Sequence, residues 1–173
     1  MIVPPTSPPL LSLRDLEGEQ VRLDQGRKIW LSLFREATCP FCNYRVYELT
    51  QRTDWLKMMD LDLILVFASD EAAIRQYIAR RPRPFRMVAD PDDRIHQDFK
   101  IPSSLWGKIK AMMLRMPALL KGMGMVGMAG MKTGNLLPAD FLIDERGMIV
   151  AAYYGEDAGD HIPLDQVERF AKH

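Results

Sequence analysis

The spacing of apolar positions along the chain changes period several times. Lys28 to Phe34 alternates and then thickens into a β-rich apolar run, which predicts a central strand. From Asn43 to Lys57 the spacing turns helical, with Cys42, Val46, Leu49 and Leu56 on one stripe. Leu61 to Ala68, apolar enough for burial on both faces, predicts a second strand and completes a βαβ unit. Ser69 or Asp70 can cap a helix running through Arg80, with Ile74, Tyr77 and Ile78 inward, and Pro82 and Pro84 end it. Phe85 to Ala89 is a third short strand, and Asp90-Pro91-Asp92 opens a helix bearing Ile95 and Phe99. Leu136 to Ile143 and Met148 to Tyr154 are joined by Glu145-Arg-Gly147, which has hairpin length and makes them antiparallel. Pro163 to Lys172 closes the chain as a helix with Leu164, Val167 and Phe170 inward. Ahead of all this, residues 1 to 13 read as an extended proline-rich surface arm, followed by a turn at Asp15 to Glu19 and a small strand at Gln20 to Leu23. The sum is an α/β chain with a mixed sheet covered on both sides.

The only two cysteines, Cys39 and Cys42, fall where the first central strand hands over to the first long helix. The opening turn of a helix has unpaired N–H groups and a partial positive charge, which favour a thiolate over a thiol. A cysteine there titrates at roughly 7 or lower, against about 8.5 for a free thiol. Pro40 suits that turn because its missing N–H would have had no partner. Two cysteines two residues apart can close a small disulfide, and each can resolve a bond made by the other. A structural zinc would need four ligands, and only His96, His161 and His173 remain to supply the other two. Strand, Cys-x-x-Cys and helix together point to a redox dithiol.

At 173 residues the chain fits one domain with a core that needs no staples. Formal charge is balanced, and no basic helix with interleaved aromatics marks a nucleic-acid module. The N-terminal segment has no positive region and four prolines, which makes a poor secretory signal and points to a cytoplasmic protein. Two cysteines in such a chain argue for catalysis or redox sensing.

The string Phe34-Arg35-x-x-x-Cys39-Pro40-Phe41-Cys42, with Asp90-Pro-Asp92 and Leu137-Pro-Ala-Asp-Phe-Leu-Ile-Asp144 beyond it, resembles the peroxiredoxin-like branch of the alkyl hydroperoxide reductase and thiol-specific antioxidant family. The resemblance covers roughly residues 10 to 172 and implies a thioredoxin-like three-layer α/β/α fold. It implies a thiol-dependent oxidoreductase, either a thiol-disulfide exchanger or a thiol peroxidase. A peroxide or disulfide would be the substrate, a thioredoxin- or glutathione-type system the reductant, and no bound cofactor would be needed. Pro138, just before a strand, resembles the cis-proline that faces the dithiol in such folds. The family's threonine-to-cysteine spacing puts Cys42 in the peroxidatic place and Cys39 where the threonine would stand, with Thr38 one position away. The family's active-site arginine falls on Pro138, so Arg35 substitutes for it only by pointing toward the thiols. In thioredoxin-like exchange, by contrast, Cys39 attacks and Cys42 resolves. Both assignments stay open.

Ser103 to Gly134 stands apart. It holds Lys108, Lys110, Arg115, Lys121 and Lys132 but no Asp or Glu, leaving the rest of the chain with eighteen basic and twenty-three acidic residues. Leu105, Trp106, Ile109, Met112, Met113, Met116, Leu119 and Leu120 share a helical face, and Pro117 kinks or splits the helix. That face would cover the sheet, form a homodimer interface or lie on a membrane surface. Charges interrupt each apolar run too soon for a transmembrane span. Gly122 to Met131 then reads as a soft methionine-rich flap or partner surface. A copper-handling site, using both thiolates, His96 or His161 and the methionines, and a non-enzymatic docking module are the rival readings. Outside the copper reading, His96 and His161 are expected at the surface or at hinges, without a catalytic role.

Overall fold

The computed structural model describes residues 1–24, 26–80 and 82–172. Its centre is a five-stranded sheet ordered β5-β4-β3-β6-β7, made of β3 (Ile29–Phe34), β4 (Asp62–Phe67), β5 (Arg86–Ala89), β6 (Ala139–Ile143) and β7 (Ile149–Tyr154). β3, β4 and β5 run parallel, while β6 is antiparallel to both β3 and β7, so the sheet is mixed as expected. Side chains alternate across it because successive Cβ atoms point to opposite faces. Trp30 and Phe34 of β3 join Leu63, Leu65 and Phe67 of β4 in one core, while Leu31, Leu33, Ile64 and Val66 enter the core on the other face. The result is a thioredoxin-like α/β fold.

Helix α1 (Pro40–Gln51) crosses between β3 and β4 and buries Cys42, Val46 and Leu49. The expected helix ending at Lys57 is two: it breaks at Arg52, outside helical geometry, before α2 (Thr53–Met58). Helix α3 (Glu71–Tyr77) starts under an Asp70 cap whose carboxylate accepts from the Ala73 N–H at 2.7 Å, and it stops short of the expected Arg80. Helix α4 (Arg94–Asp98) and a two-stranded hairpin, β1 (Ser12–Arg14) with β2 (Gln20–Arg22), cover the second face. The arm is thus less free than its prolines suggest: Ser12–Arg14 pairs as a strand, and Thr6 bridges to Ile149.

Of the placements expected for the apolar face of the segment from Ser103 to Gly134, the one over the sheet is not adopted: apart from Leu119, that face points outward. The segment folds into α5 (Leu105–Leu114), α6 (Met116–Val126) and a 3₁₀ turn (Gly127–Met131), split where Pro117 occupies the first turn of α6. The buried positions are Gly107, Ala111, Gly122, Val126 and Gly130, whereas Leu105, Trp106, Ile109, Met112, Met113, Met116 and Leu120 face solvent. The reason is distance. A Cβ on Gly122 would lie 2.0 Å from the Pro40 carbonyl oxygen, so the backbones of α6 and α1 approach too closely for a larger residue. Helix α7 (Leu164–Lys172) closes the first face, with Val167 buried. Among the described residues, no helix is long and apolar enough to cross a membrane.

Candidate active site

β3 ends at Phe34, and four residues carry the chain to Cys39, which occupies the N-cap of α1 with φ −65° and ψ 123°. Long-range bonds hold this turn. The Ala37 N–H donates to Ser69 Oγ at 2.9 Å, and Asn43 Nδ2 donates to the Ala37 and Cys39 carbonyls at 2.7 and 3.0 Å. The Phe34 carbonyl, which can only accept, takes a hydrogen bond from His96 Nε2 at 2.7 Å. The other ring nitrogen lies 2.6 Å from Asp90 Oδ2. Burial would raise the Asp90 pKa, but bonds from the His96 ring and from the Ile95 and His96 amides hold it below the usual range. Asp90 and His96 therefore pin the end of the strand that launches the dithiol. No periodicity pointed to the roles of Ser69 and His96, because their contacts to this turn cross thirty-two and sixty-two residues.

Both sulfurs are fully buried and unbridged. Burial pushes the Cys39 thiol up, yet a hydrogen bond from Cys42 and the nearby Arg35 guanidinium bring it down to about 7. Cys42 moves the other way: burial raises it, and donating to an anionic Cys39 raises it further, well above an ordinary thiol. Of the two, Cys39 is the more acidic thiol and Cys42 holds its proton more tightly. The helix start beneath Cys39 favours its thiolate as well. Arg35, itself buried, donates from Nη1 to Cys39 Sγ at 3.2 Å and from Nη2 to the Gly134 carbonyl at 2.5 Å. Desolvation opposes its charge, and the facing sulfurs more than restore it.

Gly134 is gripped twice, since its N–H also donates to Glu36 Oε1 at 2.5 Å. Two consecutive residues of the dithiol turn thus latch the end of the α5–α6 segment over the sulfurs. Beneath that segment lies a cavity of about 360 Å³ lined by Arg35, Pro40, Phe41, Met112, Leu119, Met123, Gly130 and Met131, with Lys108 and Thr133 at its polar edge.

The expected site residues do not all converge. Cys39, Cys42, Pro40 and Arg35 come together, and Arg35 points toward the thiols as the substitution for a family arginine required. Thr38 is half-buried in the turn, and no side-chain hydrogen bond joins it to either sulfur. Pro138 is not a cis-proline: the Leu137–Pro138 bond is trans, and among the described residues the cis bond is Pro4–Pro5. Pro138 leads into β6, where its carbonyl accepts from the Gly155 N–H at 2.9 Å and Gly155 packs against its ring. The expectation of surface histidines also fails. His96 is buried against Asp90, and His161 is buried with Nδ1 3.1 Å from Asp140. Asp140 in turn accepts from Trp30 Nε1, Ser32 Oγ and the Ile162 N–H. Burial would raise Asp140, but these bonds and His161 hold it at about 2.

Among the described residues, the His, Cys, Asp and Glu ligand atoms that converge within 4.8 Å belong to Asp90, Asp93 and His96, not to the cysteines. Both His96 nitrogens are engaged by Asp90 and Phe34, which takes His96 out of the copper reading. His173 lies outside the described residues.

Solved structures share this fold. A chain from Chlorobium tepidum described as a candidate thiol:disulfide interchange protein, DsbE, matches with TM-score 0.66 and 15% identity, covering 100% of each chain. The bacterioferritin comigratory protein of Xanthomonas campestris, described with alkyl peroxide reduction activity, matches with TM-score 0.63 and 17% identity over 94% of this chain and 90% of its own. A cysteine-to-serine mutant of peroxiredoxin 6 from Arenicola marina reaches TM-score 0.72 at 10% identity, over 99% of this chain and 73% of its own. No curated protein matches the sequence. The profile of the AhpC/TSA family matches residues 6–152, from the N-terminal arm to the middle of β7. The chain belongs to the AhpC/TSA family.

Proposed function

We propose that the protein is a thiol peroxidase in which Cys39 attacks and Cys42 resolves. The observation that carries this is the Arg35 guanidinium held 3.2 Å from Cys39 Sγ, at a helix start, beside the one sulfur whose pKa falls to about 7. The Cys39 thiolate attacks one oxygen of a hydroperoxide, the O–O bond breaks, and the leaving alkoxide takes a proton to depart as alcohol or water. Arg35 stabilises the charge that develops on the leaving oxygen. Cys39 is left as a sulfenic acid. Cys42 then attacks that sulfur, water leaves, and the Cys39–Cys42 disulfide closes. An external dithiol of thioredoxin or glutathione type reduces the disulfide and is itself oxidised. Pro40, in the first turn of α1, positions the dithiol turn. A dithiol that must be returned to its reduced form suits a reducing, cytoplasmic setting.

Burial of both sulfurs under the α5–α6 segment favours a small oxidant over a folded protein disulfide. A second reading, thiol-disulfide exchange, draws on the acidic sulfur being the first of the Cys-x-x-Cys pair, the attacker's place in thioredoxin-like exchange. Stopped-flow kinetics with hydrogen peroxide, an organic hydroperoxide and a model disulfide separate the two. Cys39→Ser should abolish the first turnover, and Cys42→Ser should keep it and stall at the sulfenic acid. If both single variants keep full activity, the dithiol mechanism is wrong.

A further inference from the structure

We infer that the outer face of α5 and α6 docks the protein on an anionic lipid surface. These helices present their large apolar side chains outward: Leu105 is 61%, Trp106 71%, Met113 70% and Leu114 68% exposed. Soluble proteins seldom leave such a run of large apolar groups together on a surface without a partner. The small residues Gly107, Ala111 and Gly122 already fill the contact with the body, so the helices cannot turn that face inward. The charge fits lipid rather than a second copy of this chain. The segment from Ser103 to Gly134 has five basic residues and no acidic one, so two such faces apposed would bring like charges together. Lys110 and Arg115 are answered by Glu156, Asp157 and Asp160. Lys121 and Lys132 are exposed, with Lys121 standing 5.3 Å over the Tyr44 ring. An apolar stripe with exposed lysines at its side is the pattern that lies in a headgroup layer. This face is also continuous with the cavity lined by Arg35 and Pro40, since Met112 belongs to both.

Vesicle flotation of the full chain tests the inference, using phosphatidylcholine alone and phosphatidylcholine with roughly one third phosphatidylserine. The protein should float with the anionic vesicles and less so at high salt, because screening shortens the reach of the lysines. The Leu105→Ser/Trp106→Ser variant should lose about tenfold in affinity for those vesicles. Lys121→Glu/Lys132→Glu should lose about as much on anionic vesicles and leave the weak binding to neutral ones unchanged. All four positions are exposed, so circular dichroism should report an intact fold. No flotation, flotation of either variant equal to that of the native chain, or a solution dimer abolished by Trp106→Ser would each overturn the inference. Cys39→Ser should float like the native chain, so a failure of the peroxidase reading would not be mistaken for a failure of docking.

Discussion

Cys39 and Cys42 sit three positions apart and both are buried, yet their acidities diverge, because the hydrogen bond from Cys42 to Cys39 lowers the one that accepts and raises the one that donates. Arg35 lowers both thiols and adds a hydrogen bond to Cys39 Sγ. Arg35→Met, which keeps the bulk and removes the charge, should raise the midpoint of Cys39 alkylation by about one to two pH units. A second residue-scale prediction concerns Asp140, held at about 2 against its ordinary 3.8. A carboxyl with a depressed native pKa stabilises the fold above its unfolded pKa, and that contribution fades as pH falls through the native value. Urea midpoints should therefore drop as pH falls from about 4 toward 2, by an amount on the order of 2 kcal/mol from this group. Asp140→Asn should cost about 2–4 kcal/mol already at neutral pH, since it turns an NH₂ toward groups that donate to the carboxylate.

At the scale of elements, the strands and α1 were legible because burial on the sheet imposes a period of two, and burial of Cys42, Val46 and Leu49 imposes a helical one. The dithiol turn was legible for the same reason, as the point where one period gives way to the other. The α5–α6 segment misled in direction. Amphipathicity shows that a helix has two faces, and the larger apolar face is assumed to be inward; here the close approach of α6 to Pro40 selects glycine for the inner face instead. The break at Arg52 and the strand at Ser12–Arg14 were likewise illegible: Arg52 leaves helical geometry with no Pro or Gly to mark it, and a three-residue strand is too short to show a period. Gly122→Ala should force α6 off α1, cost about 1–3 kcal/mol in urea unfolding and speed alkylation of Cys39 by exposing it. Glu36→Ala, which releases the Gly134 N–H, should speed alkylation with little loss of overall stability.

For the molecule as a whole, membership of the AhpC/TSA family and the thioredoxin-like sheet fit a chain whose chemistry is concentrated at one strand-to-helix junction. The segment above that junction seals the sulfurs, contributes the Gly134 carbonyl that Arg35 holds, and carries the apolar outer face. Under that seal Cys39 stands at a helix start with the Arg35 guanidinium 3.2 Å from its sulfur. Asp90 was legible as part of Asp90-Pro-Asp92, but its pairing with His96 and the reach of that ring to Phe34 were not, since the contact to Phe34 spans sixty-two residues.

The assignment of the reactive sulfur is tested most directly by site-resolved alkylation of the fully reduced native chain with a small haloacetamide across pH, read by mass spectrometry. Cys39 should be modified first with a midpoint near 7, and Cys42 should stay protected through that range. Modification of Cys42 first, or a Cys39 midpoint at an ordinary thiol value, would contradict the account.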